Sequence, residues 1–174
     1  MMEQTTVLPY YVDKYLQCVE MPYGNGAFSM VAILPANDMD IDQLINYLDD
    51  ATWQNIVNKF QERMLPLKLP RFKIECEIPL NEPVRNVGMQ QIFYGGFANI
   101  SDVSLAVSII IQKTFVEVNE EGTEAAAVTV IAMDGASPGY VPPSFIANRP
   151  FLYLIKEKST GAILFIGRMD EPKE

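Results

Sequence analysis

The run Glu120-Glu121-Gly122-Thr123-Glu124-Ala125-Ala126-Ala127-Val128-Thr129 is where residue type constrains chemistry most in this 174-residue sequence. Its chemistry is strand formation rather than bond-making. A glycine pivot is followed by side chains small enough to slide between two strands of a sheet. Side chains alternate across a strand, so entry from Thr123 turns Thr123, Ala125, Ala127, Thr129 and Ile131 inward and Glu124 outward. No inward residue is charged, as burial requires, because an unpaired charge in a core is strongly unfavourable. Ordinary catalytic chemistry has little to work with. The sequence has no histidine, which removes Ser-His-Asp and Cys-His machinery and histidine-ligated metal sites. Its two cysteines, Cys18 and Cys76, cannot build a disulfide scaffold or a structural zinc site, and both are expected as buried thiols in strands. The acidic pairs Asp49-Asp50 and Glu120-Glu121 read as caps or solvated faces. The expectation is a protein that is not an enzyme and needs neither metal nor cofactor.

Composition narrows the partners. A formal charge of −9 disfavours nucleic acid and anionic membrane surfaces. No apolar run approaches the ~20 residues that span a bilayer. Met1-Met2-Glu3-Gln4-Thr5-Thr6 has neither the basic region nor the apolar core of a signal peptide, so the compartment is not legible. At 49% hydrophobic the chain can bury a core, and its length is that of one domain, 1–174.

The elements that must position the run are mostly strands. Apolar stretches over 15–20 and 27–34 flank Gly24-Asn25-Gly26, a hairpin signal. Asp40 or Asp42 can cap a short helix through Ile41, Leu44, Ile45 and Leu48. A second helix starts at Asp50-Ala51-Thr52 and turns Trp53, Ile56, Val57 and Phe60 to one face, with Trp53 as a core anchor. Period two returns from Leu65: Leu67 and Leu69, then Phe72, Ile74 and Cys76, with a break at Pro70. A short helix is expected over 83–89 and a long strand over 103–115, where Ile109-Ile110-Ile111 suggests burial on both faces. The 120–143 segment is loop-like and exceeds the ~12–15 residues usual for a structureless connection. Strands over 151–155 and 162–166 close the chain as a hairpin. The fold class is α+β: mixed, mostly antiparallel β-sheets with a few short helices.

Several motifs occur in one order along the whole chain. They are Met1-Met2-Glu3-Gln4; Glu20-Met21-Pro22-Tyr23 with Phe28-Ser29-Met30 and Leu34-Pro35; Leu69-Pro70-Arg71-Phe72; and Leu80 through Gly88-Met89 to Phe93. They continue with Lys113-Thr114-Phe115-Val116-Glu117-Val118-Asn119-Glu120-Glu121-Gly122-Thr123-Glu124-Ala125-Ala126, then Asn148-Arg149-Pro150-Phe151 and Leu164-Phe165-Ile166-Gly167-Arg168. Together they resemble the C-terminal half of the serpins, which trap proteases by inserting a cut loop as a new strand. The longest is close to the signature K-A-F-V-E-V-N-E-E-G-T-E-A-A. Loop insertion is also a general example of a conformational switch.

The resemblance implies a partial serpin fold, with hinge and reactive loop over 120–143. It assigns the hinge to Glu120, Gly122, Thr123, Glu124, Ala125, Ala126 and Ala127, and one flank of the insertion gap to 103–118. It also implies that Arg71 could pair with Glu120, the alternative being two solvated charges worth ~0–1 kcal/mol. Spacing from Gly122 puts the scissile bond at Ala136-Ser137, with Met133-Asp134 next in line. Counting back from Pro150 gives Gly139-Tyr140. No Arg or Lys lies between Glu124 and Arg149, so the implied target is an elastase-like rather than a trypsin-like serine protease, or a cysteine protease. Met1 aligns where the family is already mid-strand, so the family's N-terminal half is absent from this sequence. The expectation is a truncated or fragment form with little inhibition alone, from a parent that is extracellular or periplasmic. The competing expectation is a non-inhibitory half-fold that forms homo-oligomers through exposed strand edges, or that complements the absent half.

Overall fold

A computed structural model describes residues 1–119 and 143–172. The chain groups into two compact units: Met1–Arg71 with Val118–Glu174, and Phe72–Glu117.

The larger unit is built on a seven-stranded sheet. Its strands are β1 (Met2–Val12), β2 (Leu16–Tyr23), β3 (Phe28–Pro35), β4 (Gln61–Leu69), β7 (Phe145–Ile146), β8 (Phe151–Glu157) and β9 (Ile163–Met169), in the order β7-β4-β1-β2-β3-β8-β9. Every pairing is antiparallel except β4 with β7. The long strand β1 serves two partners. Met2 to Tyr10 pair with β4, and Tyr10 to Val12 pair with β2, so the sheet curls about β1. The β2–β3 turn forms where expected. Gly24 and Gly26 take φ of 48° and 82°, a left-handed region open to glycine at no steric cost, and Gly26 N donates to Tyr23 O at 2.7 Å.

Two helices cover one face. In α1 (Ile41–Tyr47) Asp40 forms a capping box, accepting from Gln43 N at 2.7 Å while its own N–H donates to Gln43 Oε1 at 2.9 Å. In α2 (Asp50–Val57) Asp49 accepts from Thr52 N at 2.7 Å. These caps supply partners for amides that lack one within the helix. Leu44 and Ile56 pack on Leu16, Cys18, Val31, Ile33, Leu152 and Leu154, which share a sheet face by period two. Each fully buried aliphatic side chain stabilises by about 1.5–3 kcal/mol. Trp53 and Phe60 pack against this cluster partly buried, as expected for Trp53. Ile45 does not join it and is 42% exposed, because the buried stripe of a two-turn helix runs through Ile41 and Leu44.

The smaller unit holds a two-stranded sheet of β5 (Phe72–Pro79) and β6 (Ile111–Val118), with helix α3 (Asn81–Asn86) and a single 3-10 turn at Gln91–Phe93. Four sequence expectations are corrected here. The long strand over 103–115 is not formed; only β6, from Ile111, is a strand. The backbone before it is engaged elsewhere: Asn81 Nδ2 donates to Ser108 O at 2.9 Å, Ile110 N donates to Asn81 Oδ1 at 2.7 Å, and Val107 N donates to Ile92 O at 2.8 Å. A side chain therefore takes the groups a ladder would need. Burial on both faces also fails, since Ile109 and Ile111 are 62% and 42% exposed. Cys76 is exposed on β5, whereas Cys18 is buried as expected, and both thiols are free. Helix α3 begins two residues before the expected 83 and ends at Asn86.

Candidate functional site

The residues assigned by sequence to the hinge (Glu120, Gly122 to Ala127) and to the scissile bond (Ala136-Ser137, Met133-Asp134) lie outside the described residues, as does the Arg71–Glu120 pair. The roots of that segment are described. On the N-terminal side β6 runs to Val118, and its exposure settles into alternation near its end, with Val116 and Val118 buried and Phe115 and Glu117 exposed. Earlier in the strand, Lys113 pairs with Glu77 at 2.9 Å, and Lys73 lies 5.0 Å from the Phe115 ring centroid.

On the C-terminal side the chain is anchored within three residues of Pro143. Phe145 is fully buried and sits opposite Leu67, Ile146 pairs with Lys68, and Ala147 N donates to Lys68 O at 2.9 Å. Burying one phenylalanine is worth about 1.5–3 kcal/mol, enough to hold a two-strand ladder that backbone bonds alone would leave marginal. Arg149 then ties the chain to the far end of β3, donating from a guanidinium nitrogen to Pro35 O at 2.8 Å. Its Nε is buried and has no hydrogen-bond partner among the described residues.

Pro143 also lines a groove of about 630 Å³ with Tyr10, Tyr11, Lys59, Phe60 and Arg63. Tyr10 donates to Gln17 Oε1 at 2.9 Å and Tyr11 to Asp13 Oδ2 at 2.8 Å. Burial first, and then the bond to Asp13, pushes the Tyr11 phenol up to about 12. Burial likewise raises Tyr10 and holds the Cys18 thiol well above its ordinary value, so Cys18 is not a nucleophile at neutral pH. Among the described residues no group of three or more His, Cys, Asp or Glu could hold a metal.

Two features escaped the sequence reading. Glu20 and Lys156 form a buried ion pair at 3.3 Å. Its signal was period two, since Glu20 follows Leu16 and Cys18 inward, and Lys156 follows Leu152 and Leu154. The groove had no such signal, because it gathers side chains from β1, from the α2–β4 connection, from the start of β4 and from Pro143.

A family model described as Serpin (serine protease inhibitor) matches residues 1–172. An uncharacterised serpin-like protein of Thermococcus kodakarensis is 34% identical over all of this chain and 42% of its own length. The leukocyte elastase inhibitor of Xenopus tropicalis is 37% identical over 99% of this chain and 48% of its own. Among solved structures, native protease nexin-1 with heparin superposes with a TM-score of 0.80 at 27% identity, over 98% of this chain and 46% of that one. The native thermophilic serpin tengpin gives 0.75 at 28% identity. The chain therefore spans less than half the length of these relatives. A family match over residues 1–172, with a curled, mostly antiparallel sheet that superposes on a solved relative at a TM-score of 0.80, makes this chain a member of the serpin family.

Proposed function

We propose that the parent protein inhibits serine or cysteine proteases as a suicide substrate, inserting its own cut loop into a sheet, and that this chain is the C-terminal half of that domain. Residues 120–143 act as hinge and reactive loop, with Ala136-Ser137 as the scissile bond. The observation that carries the reading is the sequence run from Gly122 to Thr129, free of charge at every position that turns inward from Thr123, a few residues after β6 ends at Val118. The 37% identical relative is named as an elastase inhibitor, in keeping with a small residue at Ala136 and with the absence of Arg and Lys across the loop. No residue has a catalytic role in this reading.

The driving force is bounded by the ladder. About ten inserted residues, each gaining a hydrogen bond worth ~0.5–1.5 kcal/mol net, give on the order of 10 kcal/mol. That gain needs a strand on both sides of the gap. β6 supplies one, so inhibition by this chain alone is expected to be slight.

A second reading, self-association of a non-inhibitory half-fold, is favoured by β9. It is the outermost described strand beyond β8, and Ile163, Leu164, Phe165 and Ile166 along it are 45%, 51%, 37% and 69% exposed. An apolar unpaired edge invites another strand. Incubation with elastase, chymotrypsin and subtilisin, followed by denaturing gels and intact mass, separates the two. A detergent-stable adduct supports the first reading. Concentration-dependent mass, with neither adduct nor cleavage in the loop, supports the second.

A further inference from the structure

The chain has 13 Lys and Arg against 22 Asp and Glu, and six of its described cations form ion pairs with carboxylates. Lys68 pairs with Glu3, Lys73 with Glu75, Arg85 with Glu82, Lys113 with Glu77, Lys156 with Glu20, and Arg168 with Asp42 and Asp170. Lys59 and Arg63 are outside these pairs, as are Lys14, Arg149 and Lys158, and they stand out because they line one groove. Among the described residues neither has a carboxylate partner, and the Arg63 guanidinium reaches the Gln61 amide oxygen at 2.6 Å. Both are exposed, and both line the groove beside Pro143.

No acidic side chain lines that groove among the described residues. The strand period explains why. Gln61 and Arg63 share one face of β4, and Glu62 points to the other. Tyr11 is held by its hydroxyl bond to Asp13 and presents preorganised aromatic surface at small entropic cost, while Tyr10, bonded to Gln17, is buried. The result is a cationic, aromatic window in a chain of net charge −9, and Pro143 places it at the C-terminal root of the proposed bait loop.

We propose that this groove is a second contact for the target protease, taking an acidic surface loop of the enzyme beside the leaving-group side of the scissile bond. The proposal rests on the bait-loop reading and adds the charge of the partner. An acidic enzyme surface is repelled by most of this chain and attracted at the window, so the field orients the encounter toward the loop. Such steering raises association rates and is lost as salt screens it.

The test compares the full chain with its Lys59→Glu/Arg63→Glu variant. kcat/KM for cleavage within 120–143 is measured by intact mass with elastase, chymotrypsin and subtilisin, at about 0.02 M and about 0.5 M NaCl. A synthetic peptide spanning 128–143 is cut in parallel. The expected result is a loss of about tenfold with at least one enzyme at low salt, largely erased at high salt, and unchanged rates on the peptide. Lys59→Gln/Arg63→Gln is expected to lose less, with its thermal midpoint showing that the fold persists. Equal kcat/KM for both chains with cleavage retained overturns the groove and leaves the bait loop standing. Dextran sulfate bound by the parent chain and not by the variant, alongside equal kcat/KM, would reassign the groove to a polysaccharide. If no enzyme cuts within 120–143, the bait-loop reading falls and the groove falls with it.

Discussion

Lys156 Nζ lies 3.3 Å from Glu20 Oε2 in the interior of the larger unit, with the two side chains only 9% and 6% exposed. Ser29 stands between them on β3, directly opposite Lys156, and its hydroxyl donates to the other Glu20 oxygen at 2.7 Å. The Trp53 ring centroid is 5.9 Å from the same ammonium. A polar row thus crosses three strands at the margin of the helix-covered core. Breaking a buried pair by removing one partner costs about 3–5 kcal/mol, because the other charge is left desolvated. Lys156→Met is therefore expected to destabilise by that amount in urea unfolding. Glu20→Gln/Lys156→Met should recover most of the loss. Equal losses for the single and double variants would show that the charges are not coupled.

Gly167 is opposite Tyr153 in the β8–β9 ladder. A Cβ built there would lie 2.5 Å from the tyrosine oxygen and 2.6 Å from its ring carbon. The tyrosine thus lies over the glycine, and a methyl group must push it aside. Gly167→Ala is expected to cost about 1–3 kcal/mol, the usual range for overpacking, read as a lowered urea midpoint. Adding Tyr153→Leu should relieve part of it. A neutral Gly167→Ala would mean that the ring moves freely.

Glu157 closes the β8–β9 turn. It accepts from the Thr160 hydroxyl at 2.6 Å and from the Ser159 and Thr160 amides at 2.8 Å. These bonds, the Thr160 hydroxyl foremost, lower its carboxyl from 4.5 to about 2. A depressed acid stabilises the fold above its unfolded value, and that contribution fades as pH falls from about 4.5 toward about 2. Glu157→Gln should be less stable than the parent at neutral pH, with the difference closing across that window. A difference independent of pH would assign the effect to turn geometry instead.

The proposed scissile bond predicts a change of specificity. Ala136→Arg should make the loop a trypsin substrate cut after position 136, with at least a tenfold gain in kcat/KM, while elastase cleavage there declines. A single added charge in a deep specificity pocket readily supplies that factor, since ~1.4 kcal/mol is tenfold. Trypsin cleavage sites mapped by mass decide it. Unchanged resistance between Glu124 and Arg149 would move the bait bond to Met133-Asp134 or Gly139-Tyr140.

Local rules placed much of this chain. Glycines at 24 and 26 mark the first hairpin, Asp40 or Asp42 and then Asp50 mark the helix starts, and the ordered motifs from Met1 to Arg168 carry the family resemblance. Such signals are short-range: a turn needs φ > 0, and a helix start needs an acceptor for its free amides. The tertiary structure decided what depends on distant partners. Asn81 takes the backbone groups of 108 and 110, so the apolar run at 109–111 does not extend into the expected strand. β4 begins at Gln61 because Tyr10 stands opposite it, although the exposed residues there show no hydrophobic period. Cys76 has the alternation of a buried position and is exposed, since alternation reports only that a strand has two faces. Which face is covered, and which cations are left without carboxylates beside Pro143, depends on elements far apart in the chain, and folding alone brings them together.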